Sequence, residues 1–401
     1  MKKSKWAEKI RAYALKNAIE HEGKALEGSV ISSLFHEGLE KDEVKEIIFD
    51  VKKSVKEINS LSFEEQREEY KKLKGKVSKR KEREGLSPLP GAKKGKVIMR
   101  FAPSPSGPLH VGHAATGCIS FLYVRKYGGK FYMRIEDTNP DNIYKPAYKM
   151  LKEDAGWLFD NKARIIIQSE RMPLYYKYID KLIKLGKAYV CSCEQEKFKN
   201  YANEKKNCPC RSLKLKEQEA RWKKMLDKRG YEQGQAAVRF KSGMNLKNPA
   251  FRDFPLARIN LTKHALQGDK YRVWPLMNFA VAVDDIEMKM THIIRAKEHR
   301  DNAEKQKMLF SALKKKFPWT AFLGRWHFKN LELSTTKMRK AIEKGEYRGW
   351  DDERLPTIAS LRKQGYNREA LWKVSEQVGL SETDKIIEKE EYFRLLRQFN
   401  K

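Results

Sequence analysis

Across residues 6–84 apolar side chains recur at three-to-four spacing, as at Ile10, Ala14, Leu15 and Ala18, a pattern that predicts amphipathic helices. Ser62 and Glu65 have the spacing of a capping box and predict where one of them starts. Residues 71–81 are strongly basic, and Gly85-Leu86-Ser87-Pro88-Leu89-Pro90-Gly91 then reads as a linker. From Lys96 the pattern alternates. Val97–Phe101 is expected to be a short buried strand, 109–127 a helix and 130–135 a second strand, which is βαβ periodicity and implies an α/β chain with a parallel sheet. The second half of that sheet is expected from 278–283 and 290–295, with 191–270 inserted between the halves. Past Lys340 the pattern is helical again, with Leu361, Ala370, Leu371 and Val374 on the apolar side, and no internal repeat is visible. The resulting divisions are 1–95, 96–190, 191–270, 271–340 and 341–401.

Charge adds a partner to this outline. The chain has 85 Lys plus Arg against 53 Asp plus Glu, a net charge of +32, which exceeds what solubility requires and implies a polyanion, best a nucleic acid. A lysine-rich thermophilic surface raises Lys and Glu together, whereas this excess is one-sided. No apolar run approaches the length of a membrane span, and Met1-Lys2-Lys3-Ser4-Lys5-Trp6 lacks the apolar core of a signal peptide, so no membrane is expected and the expected compartment is the cytoplasm.

The candidate chemistry centres on His110-Val111-Gly112-His113. It follows Arg100-Phe101-Ala102-Pro103-Ser104-Pro105-Ser106-Gly107-Pro108, whose three prolines stop the strand and set an extended turn. Two histidines three apart share one face of the first helical turn, where the helix dipole favours negative charge, so both rings can donate to phosphate oxygens. Gly112 leaves the backbone open to a purine. About 0.01 chance occurrences of His-x-Gly-His are expected in a chain of this composition, so coincidence is a poor explanation. Separately, Cys191-Ser192-Cys193 and Cys208-Pro209-Cys210 have 14 residues between them, and four thiolates suit a structural zinc in a reducing compartment better than a disulfide framework. Cys118, on an apolar helix face, is read as core, and Asp284 and Asp285 as a turn after a buried strand.

The run from Arg100 to His113 resembles the "HIGH" signature of class I aminoacyl-tRNA synthetases, and its longer spelling resembles the glutamyl member in its archaeal form. Ser334-Thr335-Thr336-Lys337-Met338-Arg339-Lys340 is similar to the family's "KMSKS" loop, with Lys337 as the mobile lysine, Thr336 in the serine position and Ser334 in place of the first lysine. The resemblance covers roughly residues 5–385. It implies a Rossmann-type parallel sheet with an inserted acceptor-stem domain carrying the cysteines, flanked by helical N- and C-terminal domains. It implies His110, His113 and Lys337 as catalytic residues, and Pro108, Gly112, Thr336 and Met338 at the nucleotide.

A glutamate substrate needs a cation for each carboxylate and an acceptor for its ammonium group. Arg100, Ser104 and Glu136 resemble substrate-contacting positions, with Glu136 taking the ammonium, and Asn278 resembles a further pocket position. Arg295 stands where the glutamyl family faces the side-chain carboxylate and the related glutaminyl enzymes have a small uncharged residue. A guanidinium pairs bidentately with a carboxylate and is left half-satisfied by an amide, so Arg295 favours glutamate. The implied reaction is ATP-dependent formation of glutamyl-adenylate, with Mg2+ accompanying ATP, followed by transfer to the 3' end of tRNA(Glu).

Family members continue into β-barrels that read the anticodon, whereas this sequence stops at Lys401. The expectation is therefore a naturally short form without them, one served by a separate anticodon-binding chain, or a fragment. Two alternatives stay open: a short synthetase-like enzyme that glutamylates a modified tRNA nucleoside, and a non-catalytic tRNA-binding protein. Whether tRNA(Gln) is also charged is not legible.

Overall fold

The computed structural model describes residues 6–40, 42–78 and 85–400, and the chain divides into two compact units, Met1–Glu82 and Arg83–Lys401. Among the described residues no helix is long and apolar enough to cross a membrane.

The first unit is built from helices Ala7–Glu20, Glu27–His36, Val44–Asn59 and Phe63–Leu73. Ile10, Ala14, Leu15 and Ala18 turn one face of the first helix onto Val30, Leu34, Val51 and Ile58, all at most 1% exposed. That stripe at three-to-four spacing is what buries the helix. The last helix opens with the expected capping box: Ser62 Oγ accepts from the Glu65 N–H, and the Glu65 carboxylate accepts from the Ser62 N–H at 2.8 Å. Of the basic run, residues 71–76 end this helix and its following turn, while 79–81 lie outside the described residues.

The second unit is α/β. Strands Val97–Phe101, Gly129–Ile135 and Ala163–Ile167 pair in parallel in that order, and His292–Ala296 pairs in parallel with Trp319–Leu323. The two pieces meet where the Thr291 N–H donates to Ile98 O at 3.0 Å and the Ile98 N–H donates to Thr291 Oγ1 at 2.9 Å. Winding therefore runs outward from Val97–Phe101 on one side and resumes beside it with His292–Ala296. That reversal is the switch point at whose strand ends open α/β sheets bind ligands. Helix Val111–Tyr127 covers the first strand with Ala114, Cys118, Ile119 and Phe121, each at most 1% exposed, so Cys118 is core as expected. Gly117 permits that approach, since a Cβ there would lie 2.9 Å from the Phe159 ring.

The structure departs from the pattern at several places. Residues 278–283 are not a strand but part of helix Met277–Glu287; Phe279–Val283 is apolar and buried all round, so it carries no period to tell strand from helix. Asp284 and Asp285 lie in the last turns of that helix rather than in a turn after a strand. Strands Ala163–Ile167 and Trp319–Leu323 went unpredicted, and so did Lys385–Glu388, which pairs in parallel with Trp326–Lys329 inside the region read as helical. The antiparallel sheet of Ala188–Cys191, Ala237–Phe240, Pro255–Ile259 and Val273–Pro275 begins before 191 and ends after 270. The composition-based linker is docked: Leu86 and Leu89 are about as buried as core residues, at 5% and 4% exposed, and the Leu89 N–H donates to the Tyr127 hydroxyl at 2.9 Å. Both leucines gain more from burial than from solvent exposure.

Candidate active site

The Pro-rich turn after the first strand delivers His110 to the N-cap of helix Val111–Tyr127, two residues later than the pattern suggested. Its Nδ1 accepts from the Gly112 N–H at 3.1 Å. That bond satisfies one of the helix's free donors and leaves the ring proton on Nε2, so one nitrogen of His110, not two, is available to a ligand. The His113 ring stacks on it, centroids 3.7 Å apart. Burial, and for His110 also its neighbour His113, holds both rings below the usual histidine value, His113 at about 4. Both are therefore neutral at pH 7. His113 Nδ1 is buried without a hydrogen-bond partner.

The second signature segment lies against the first. Ser106 Oγ and Thr335 Oγ1 are 3.1 Å apart, and a Cβ on Gly112 would come within 3.2 Å of both the His110 ring and Leu333. Residues 335–340 are not a loop: they open helix Thr335–Glu343, with Ser334 Oγ accepting from the Lys337 N–H at 3.4 Å. Lys337 points outward, 73% exposed, and pairs with Glu332 at 3.0 Å. Thr336 is exposed, whereas Met338 is 1% exposed and Pro108 is buried.

On the other side lies a buried web of charge. Arg100, near the end of the first strand, donates from Nε and Nη2 to Asp285 at 3.2 Å each. Arg134 in the second strand reaches Asp285 at 2.6 Å and Glu136 at 2.9 Å, and Arg171 reaches Asp284 at 2.7 Å. The Asp284 carboxylate also accepts from Gln168 and Tyr175, each at 2.8 Å. Burial raises the pKa of Asp285, but the Arg100 and Arg134 charges hold it down to about 2. Arg295, near the end of its strand and 7% exposed, is different. Nη1 donates to Gln306 Oε1 at 2.8 Å, Nε has no partner, and among the described residues no carboxylate pairs with it; burial and the nearby Arg100, opposed by the more distant charges of Asp285 and Glu136, bring its pKa down to about 10. Asn278 sits behind it, accepting from Gln306 Nε2 at 3.2 Å and donating to Asn302 at 3.0 Å.

Ser104 and Glu136 line a cavity of about 310 Å³ with Gln168, Trp274 and Met277, while Arg100 and Arg295 stay outside its wall. A larger cavity of about 760 Å³ adjoins it through shared Arg258, Asn260 and Leu276 and runs toward Cys191 and Cys193 past Phe198, Lys199, Arg239 and Arg252. Sequence reasoning missed Arg134, Asp284, Asp285 and Gln306. A charged residue between the apolar Met133 and Ile135 near the end of strand Gly129–Ile135 was the available signal, since a buried guanidinium demands carboxylates elsewhere.

The four cysteines converge, their sulfurs within 4.8 Å of one another. Cys191 to Cys208 is 3.9 Å and Cys193 to Cys210 is 3.8 Å. Four sulfurs about 2.3 Å from one tetrahedral ion stand about 3.8 Å apart, so the set fits zinc. Arg221 donates to Cys210 at 3.3 Å and the Ser192 N–H at 3.5 Å, both favouring a thiolate.

Residues 96–397 match the family described as tRNA synthetases class I (E and Q), catalytic domain, and the chain belongs to that family. Its relatives include the glutamate–tRNA ligases of Pyrococcus abyssi, 43% identical over 382 residues, and Methanocaldococcus jannaschii, 41% identical over 378. These alignments cover 93% and 94% of this chain but 66% and 68% of the relatives, so the chain spans about two thirds of their length. Among solved structures, a glutamate–tRNA ligase from Elizabethkingia meningosepticum in complex with its amino acid aligns with a TM-score of 0.54 at 21% identity, over 76% of this chain and 69% of that one, a likeness of fold.

Proposed function

We propose that the chain is a glutamate–tRNA ligase, activating L-glutamate with ATP and passing the glutamyl group to the 3' end of tRNA(Glu). The observation that carries the reading is the buried Arg295 guanidinium, which makes no ion pair among the described residues and lies beside the Arg100–Arg134–Glu136 web at the switch point. Arg295 takes the side-chain carboxylate, Glu136 the ammonium, and Ser104 and Arg100 the α-carboxylate side, with Asn278 bracing the pocket from behind.

An α-carboxylate oxygen then attacks the α-phosphorus as the bond to the β-phosphate oxygen breaks and pyrophosphate leaves. His110 donates through Nε2–H and His113 through whichever nitrogen bears its proton, both as neutral donors to phosphate oxygens at a helix N-terminus. Lys337 must exchange Glu332 for the departing pyrophosphate. ATP brings Mg2+ with it as substrate. The terminal ribose hydroxyl of tRNA next attacks the glutamyl carbonyl and AMP leaves. The 3' end reaches this point along the adjoining basic cavity, whose wall includes Lys199, Arg239, Arg252 and Arg258. The 191–270 insertion serves the acceptor end and 341–401 the stem. Cys191, Cys193, Cys208 and Cys210 hold a structural zinc that closes the insertion's tip without entering the chemistry. We assign the chain to the cytoplasm, where tRNA, ATP and reduced thiols coexist.

The deciding experiment is charging of archaeal tRNA with labelled glutamate and ATP, comparing the chain with His113→Ala. Charging of the terminal adenosine by the native chain alone supports the ligase. Label on an internal modified nucleoside indicates the alternative acceptor, and tRNA binding without charging indicates a binding protein. Metal analysis tests the zinc: about one zinc per chain, lost in Cys208→Ser with a lower melting temperature, is expected.

A further inference from the structure

We infer that Gln306 is a specificity-determining positioning residue: its uncharged amide holds Arg295 in place while leaving the guanidinium's charge for a substrate carboxylate. This rests on the reading of the site as a glutamate site and deepens it.

Four guanidinium groups, Arg100, Arg134, Arg171 and Arg295, surround three carboxylates, Glu136, Asp284 and Asp285. The first three arginines are each paired with at least one of these carboxylates; Arg295 is the excess positive charge. Asp285 and Glu136 act on it only from beyond contact distance, and a buried cation without a contacting counter-charge is costly; the ordinary solution is an acid beside it. Here the neighbour is Gln306, fully buried on helix Arg300–Ala312, with Oε1 2.8 Å from Arg295 Nη1. The amide cannot turn over. Its Nε2 donates to Asn278 Oδ1, Asn278 Nδ2 donates to Asn302 Oδ1, and Asn302 Nδ2 is 3.0 Å from His299 Nδ1. A relay of three amides thus fixes which end of Gln306 faces the arginine.

The relay orients one N–H of Arg295 and neutralises nothing. An acid at 306 would close the charge balance internally and remove the reason for a carboxylate substrate to bind. An apolar residue would leave the charge but lose the orientation. The discrimination between a carboxylate and an amide ligand is therefore set by a residue behind the arginine that contacts no substrate.

The test compares wild type with Gln306→Glu and the volume-conserving Gln306→Met, with melting curves to establish folding. KM and kcat are measured in tRNA charging with glutamate and with glutamine, and L-glutamate binding by calorimetry. Gln306→Glu is expected to raise the glutamate KM roughly 100-fold, the loss of one charge-assisted pair, with kcat within about threefold and glutamine unaffected. Gln306→Met is expected to raise it roughly tenfold. A merely structural residue would lower kcat and both substrates together. A folded Gln306→Glu with glutamate KM within about threefold of wild type overturns the inference. If Gln306→Glu does not fold, an unchanged KM in Gln306→Met does the same. If wild type charges no glutamate, the ligase reading fails, and calorimetry decides this inference: weaker binding by Gln306→Glu supports it, and equal or absent binding in both overturns it.

Discussion

The two sides of the candidate site are built on opposite principles. The side proposed for the amino acid consists of charges buried among one another, with Arg134 fully buried, Asp285 at 2% exposed and Arg100 at 5%. The side proposed for the nucleotide consists of two neutral stacked rings and a lysine in solvent, held by a surface glutamate. Selection of a substrate rewards a rigid arrangement whose cost is met on folding. Following charge onto a leaving group rewards a cation free to move, and an exposed ion pair is weak enough to release it.

The largest expected effect breaks the rigid side. Asp285→Ala leaves Arg100 and Arg134 buried without their shared carboxylate and should cost about 3–5 kcal/mol of stability, read from denaturant unfolding. On the mobile side, Lys337→Ala should lower ATP–pyrophosphate exchange roughly 100-fold, measured with tRNA and glutamate present, while leaving the melting temperature unchanged. The contrast between these two variants is the sharpest form of the comparison.

Protonation probes the neutral rings. His113 has a folded pKa of about 4, below the unfolded value, so between about pH 6.5 and 4 the unfolded chain binds the extra proton and stability falls as pH falls. Its share reaches up to about 3 kcal/mol at pH 4, and His113→Asn should flatten that part of a pH series of melting curves. Asp154 works in the opposite sense. Burial raises it to about 7 against the Leu109 N–H that its carboxylate accepts, so its contribution is lost as pH rises from about 4 through 7, and Asp154→Asn should remove that slope. The smallest effect is the cap itself: the part of His110→Ala that comes from the Gly112 N–H is worth about 1 kcal/mol.

Much of this was legible along the chain. The strand Val97–Phe101, the helix behind His110, the capping box at Ser62 and the cysteine cluster depend on neighbours within a few residues or on spacing, and local pattern reports such features well. Helix Met277–Glu287 was not legible, because a segment buried on every side has no polar face to set its period. For the same reason the pattern reads Asp284 and Asp285 as a turn after a strand, although their arginine partners stand 113 to 185 positions away.

The sequence by itself determined which groups are available to the proposed chemistry: two histidines about a glycine, a lysine-bearing second signature, an arginine near a strand end and four thiols. Tertiary structure alone decided how those groups are set. It made the histidines neutral by burying them, tied Arg100 to Asp285 and left Arg295 facing an amide. A residue's type fixes the interactions it is capable of, but its charge state and free valence depend on what folding places within a few ångströms, and sequence separation does not encode that distance.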